Sequence, residues 1–149
     1  MSLNEAVEIM SETTMFRNVD PKRLKLVAMM GEALSFRPSE RLFEQGDEGD
    51  SAYVILDGEV DVLIPTPGGE ISVAVLKAKE IFGEMAVLCD QPRTTAIAAR
   101  GELRVLRLKR KAILDLLHEF PDIALEFIKV LASRLERTSR ELAEARKTG

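Results

Sequence analysis

The hydrophobic pattern changes period twice along this chain, and that change limits the possible folds more than any single motif does. Up to about residue 33, apolar side chains recur at helical spacing. From Leu34 to Lys109 they alternate in short runs divided by turn residues, and after Leu108 the helical period returns. Runs at 41–44, 52–57, 59–64, 71–76, 95–99 and 103–108 predict strands. Asp57-Gly58 predicts a tight hairpin, because both central positions of that turn favour positive φ. Pro65-Thr66-Pro67-Gly68-Gly69 makes the next reversal. The chain therefore reads as α+β, mainly β, and as one domain over residues 1–149. N-terminal helices occupy 1–33, an antiparallel β-roll or jelly roll 34–109, and further helices 110–149.

Val7, Met10 and, less regularly, Ile9 predict a short amphipathic helix over 3–15. Asp20 is an N-cap before Pro21, and Leu24, Val27, Ala28 and Leu34 continue a helical face, which predicts a second helix over 21–33. Ile113, Leu114, Leu116 and Leu117 mark a short helix, after which Pro121 opens a long one reaching about 145. On it, Ala124, Ile128, Leu131, Leu135, Thr138, Leu142 and Ala145 follow a four-three spacing. Such a helix is some ~37 Å long at about 1.5 Å per residue, more than a small roll can cover. A homodimer through residues 121–145 is the expectation.

Residues 82–95 concentrate chemistry suited to a phosphate and a sugar. Gly83 lets the backbone approach an anion closely, so that successive N–H groups can point at it. Glu84 can accept from ribose hydroxyls, and Arg93 offers a planar fork that matches phosphate oxygens. Thr94 adds a hydroxyl beside it. A carboxylate next to a phosphate needs a cation between them, which makes the pair Glu84 and Arg93 sensible together.

Gly83, Glu84, Ala86, Pro92, Arg93 and Thr94 resemble the phosphate-binding cassette of cyclic nucleotide-binding domains, and the glycine-punctuated run Glu44 to Val60 resembles the start of that family's β-roll. The resemblance implies a ligand site made by Phe82, Gly83, Glu84, Met85, Ala86, Arg93, Thr94 and Thr95. The long helix looks like the dimerising helix of the bacterial catabolite activator group. That likeness implies that Thr138 and Ser139 hydrogen-bond adenine, one from each subunit, and that Arg134 lies near the ribose and Glu84. Inward residues of the roll, Val62, Val73 and Leu76, are expected to wall the base by alternation. Two positions depart from the pattern: Lys79, where a turn glycine is common, and Thr95, where alanine is usual.

Composition narrows the alternatives. Lys and Arg number 21 against 25 Asp and Glu, a net charge of -4, which gives no nonspecific pull toward nucleic acid or membrane. The single Cys89 excludes an internal disulfide, and no long apolar run or signal-like start is present, so a cytoplasmic location is expected. His118, the one histidine, reads as a helix-surface residue. Alone it leaves a cupin-type metalloenzyme without ligands. Met1-Ser2-Leu3 receives no function. The expected activity is a non-enzymatic receptor for cyclic AMP, without metal or cofactor, signalling through movement of its last helix to an unknown effector protein. Cyclic GMP is the alternative, since a Thr after the cassette arginine also occurs in relatives selective for it. A roll that binds nothing and only dimerises is the third reading. Only four residues follow Ala145, so no DNA-reading module is expected in this chain, which would be a stand-alone sensor or a piece of something larger.

Overall fold

The computed structural model describes residues 2–148 of the chain. Helix α1 spans Leu3–Ser11 and is capped by Ser2, whose side chain accepts from the Glu5 amide at 3.2 Å. It stops short of the expected residue 15. Thr13 turns its hydroxyl back to the Ile9 carbonyl at 3.1 Å, and one 3₁₀ turn, Thr14–Phe16, buries Met15 and Phe16. Hydroxyl side chains that bond to nearby backbone compete with the helix in this way. Helix α2 (Pro21–Met30) begins as expected, with the Asp20 carboxylate accepting from the Lys22 amide at 2.9 Å and Pro21 in the first turn. It ends three residues early, because Glu32–Phe36 forms strand β1 instead.

The remaining strands are β2 (Arg41–Phe43), β3 (Ser51–Asp57), β4 (Glu59–Thr66), β5 (Gly69–Lys77), β6 (Ile81–Phe82), β7 (Ala96–Ala99) and β8 (Leu103–Lys109). They make two four-stranded sheets in the orders β1-β8-β3-β6 and β2-β7-β4-β5, antiparallel at every pairing. The α+β roll expected from the sequence is thus observed. Asp57-Gly58, however, is not a hairpin. β3 and β4 belong to different sheets, so the chain turns a corner there and crosses the roll. Gly58 alone has positive φ, 97°, and a Cβ on it would lie 2.5 Å from the Glu102 carbonyl oxygen. The glycine serves a close backbone approach. The next reversal does form a hairpin, pairing Thr66 with Gly69.

Ser51 to Leu56 of β3 are all buried, and alternation divides them between two cores. Ala52, Val54 and Leu56 face the helices, among Met10, Phe16, Leu24, Ile113 and Phe127. Tyr53 and Ile55 face the inside of the roll, among Val60, Phe82, Ile97 and Val105. Helix α4 (Arg110–Glu119) and helix α5 (Pro121–Thr148) follow, α5 being 28 residues long. The root of α5 is fastened to the N-terminal elements. Ile123 and Phe127 are buried, Phe127 meets Phe16 edge-on at 5.6 Å, and Asp122 pairs with Arg23, whose guanidinium also lies 4.0 Å over the Phe120 ring.

Candidate functional site

Between β6 and β7 the chain makes a short helix, α3 (Glu84–Cys89), led by Gly83 at φ 81°. That conformation favours glycine. Space requires it too, since a Cβ there would lie 2.6 Å from Arg93 Nη1 and 3.2 Å from the Ser51 carbonyl oxygen. Arg93 folds under this turn and is only 4% exposed. Its Nη1 donates to the Gly83 carbonyl at 3.0 Å and its Nη2 to the Ser51 carbonyl at 2.5 Å, while the guanidinium lies 4.1 Å over the Phe43 ring. Its Nε is buried and has no hydrogen-bond partner. Arg110 Nε is buried and unpaired in the same way, and each such donor costs stability. Burial pushes the Arg93 pKa down, opposed by Tyr53, Asp50 and Asp47. Arginine still remains charged in a protein.

The glycine-rich loop before β3 holds this arginine from behind. The Arg93 amide donates to the Asp47 carbonyl at 2.8 Å, and the Arg93 carbonyl accepts from the Gly46 amide at 2.8 Å. Sequence reasoning noted the glycines of this loop without seeing that it is the seat of Arg93. Glu84 is likewise buried, 6% exposed. Its carboxylate accepts from Arg134 Nη1 of α5 at 2.7 Å, so the first residue of α3 is tied to the long helix.

These groups line an open cavity of about 710 Å³ between the roll and α5. Phe82, Gly83, Glu84, Met85, Ala86, Arg93, Thr94, Thr95 and Arg134 all border it, with Val62 and Leu76 on the roll wall. Val73 does not. Val62 pairs with Ala74 and Leu63 with Ser72, which makes Val73 the extra residue of a β-bulge on β5. It stands 49% exposed outside the site, and its odd separation from Leu76 already sets it on the other face of the strand. Thr138 and Ser139 also lie away from this cavity, exposed on the far half of α5. The residues α5 does bring are Lys129, Val130, Ser133 and Arg137. Val130 and Arg137 stand four before and three after Arg134, so helical spacing alone would have found them. Thr14 and Phe43 carried no comparable signal. Lys79 takes the left-handed conformation of the usual glycine, φ 76°, and its ammonium pairs with Glu12 of the N-terminal region.

Among the described residues, no group of three or more His, Cys, Asp or Glu side chains is placed to hold a metal ion. No helix of the described residues is long and apolar enough to cross a membrane.

The family model of the cyclic nucleotide-binding domain matches residues 33–120, from β1 through α4. The chain belongs to that family. A CRP-like cAMP-activated global transcriptional regulator of Mycobacterium tuberculosis is 28% identical over 138 residues, covering 92% of this chain and 62% of the relative. A cAMP-dependent protein kinase regulatory subunit of Mucor circinelloides is 32% identical over 114 residues, 76% of this chain and 27% of the relative. The chain thus spans less than two thirds of these cyclic nucleotide-binding relatives. Among solved structures, the Thermus thermophilus catabolite activator protein superposes with a TM-score of 0.79 at 28% identity, over 87% of this chain and 62% of that one. The two sequence relatives are regulatory proteins by name, and the solved structure shares the fold of this chain over 87% of its length.

Proposed function

We propose that the cavity receives a cyclic nucleotide, cyclic AMP in preference to cyclic GMP, and that the chain is a non-catalytic sensor. The convergence of Arg93, Gly83, Glu84 and Arg134 on one cavity carries this reading. A cyclic phosphate lying over α3 would meet the positive charge of Arg93, and Thr94 stands next to it at the cavity wall. Glu84 then takes the ribose hydroxyls, sharing its carboxylate with Arg134. The names of the mycobacterial and fungal relatives, both tied to cyclic AMP, favour adenine. Base contacts from Thr138 and Ser139 require a second copy, since neither reaches its own cavity. Ile128, Leu135 and Leu142, exposed at intervals of seven along α5, offer the seam for it. Because Arg134 joins α5 to the cavity, occupancy shifts the position of that helix and so its meeting with an effector protein.

Calorimetric titration with cyclic AMP and cyclic GMP, repeated on Arg93→Ala, tests the assignment. Loss of the charge-assisted contact should weaken binding about ten- to hundredfold, or roughly 1.5 to 3 kcal/mol. Unchanged affinity would remove Arg93 from the phosphate site. Tighter binding of cyclic GMP would move Thr94 to the guanine edge and replace the adenine reading.

A further inference from the structure

Arg110, the first residue of α4, lies outside the cavity and yet grips the helix that forms its floor. Its Nη2 donates to the Gly49 carbonyl at 2.9 Å and to the Ala86 carbonyl of α3 at 3.2 Å. Its Nη1 pairs with Asp90 at 2.8 Å. Asp90 closes the C-terminal end of α3, at φ 51°. The backbone of Arg110 is anchored as well, its amide donating to the Asp50 carbonyl at 2.9 Å. The loop bearing Gly49 has no slack against α3, because a Cβ on Gly49 would lie 2.3 Å from the Ala86 Cβ. One planar fork thus ties the loop before β3, the middle of α3 and the end of α3 to the start of α4. Lysine, with a single ammonium, cannot copy that geometry. At the other end of α3, Glu84 is held by Arg134 of α5.

We infer that Arg110 is a positioning residue for the nucleotide site: it sets where α3 presents its amides and makes α3 and α4 shift as one body, so that occupancy reaches α5 through α4 as well as through Arg134. This rests on the cyclic nucleotide reading above. Asp90 is mostly exposed, and its ion pair contributes little. The two carbonyl contacts, both partly buried, make the grip.

The test compares the whole chain with Arg110→Ala, Arg110→Lys and Asp90→Ala, measuring cyclic AMP affinity by calorimetry and hydrogen exchange of α5 with and without saturating cyclic AMP. Arg110→Ala should bind about tenfold more weakly, as expected for loss of charge-assisted hydrogen bonds. At saturation, its α5 should also show less than half of the wild-type change in exchange. Arg110→Lys should fall between it and the wild type, and Asp90→Ala should stay close to the wild type. Melting curves check folding, and if Arg110→Ala does not fold, Arg110→Lys carries the comparison. Wild-type affinity in the Arg110 variants overturns the inference. So does weakened binding with a full α5 response at saturation, which would make Arg110 a structural prop only. Failure of the wild type itself to bind cyclic AMP or cyclic GMP overturns the nucleotide reading instead, and with it this inference.

Discussion

The two halves of α5 have similar helical spacing and opposite surroundings. From Pro121 to Arg134 the helix is pinned by Ile123 and Phe127 in the core, by Asp122 and Glu126 to the N-terminal elements, and by Arg134 to Glu84. From Leu135 onward its described side chains are exposed. The anchoring row and the heptad row are thus different faces of one helix. Ile123 and Phe127, which pack, each stand one position before a heptad residue, whereas Ile128, Leu135 and Leu142 on the heptad are exposed.

The largest effect that can break this contrast is expected at Phe127. Phe127→Ala should destabilise the fold by about 3 to 5 kcal/mol, the usual cost of removing a buried aromatic side chain. Leu135→Ala in the exposed half should change it by less than about 0.5 kcal/mol in dilute monomer. Denaturant unfolding at low protein concentration checks both, and similar losses at the two sites would abolish the distinction. Next in size is Leu135→Asp, which places a charge in the proposed seam. Sedimentation should show a dimer for the wild type and a monomer for the variant, whereas a monomeric wild type would dismiss the seam. The smallest effect concerns Glu126 at the pinned end. The hydrogen bond from Asn18 leads in holding its carboxyl below the usual value, with Lys129 assisting. A depressed folded-state pKa contributes stability above the unfolded value, near 4.5, and loses it as pH falls through the folded one. The melting difference between wild type and Glu126→Ala should therefore shrink as the solution is acidified below that range. A difference that grows in acid would contradict the assignment.

Local chemistry was the legible part of the sequence. Asp20 and Pro21 announced α2, and the alternating runs announced six strands. The residue types of 82–95 marked the cassette, whose members line one cavity. What escaped depends on partners far away in sequence. The helical spacing that predicts α2 runs on into Glu32 and Ala33, because the strand character of β1 comes from pairing with β8, some seventy residues later. β6, two residues long, has no period to detect. Asp57-Gly58 carries hairpin chemistry, yet the approach of the Glu102 carbonyl makes it a corner between sheets. Val73, three residues from Leu76, cannot share its face under a period of two, and the bulge at this point leaves it unpaired as well. The heptad spacing runs through both halves of α5 and does not include Ile123 and Phe127, the residues that anchor the first half.

The way Arg93 is seated has an entropic consequence. An arginine on a surface loses up to about 2 kcal/mol of rotational freedom when it is immobilised. Here the Gly83 and Ser51 carbonyls and the Phe43 ring already hold the side chain still. That loss therefore falls on folding rather than on the capture of an anion, which meets a guanidinium whose conformation has already been chosen.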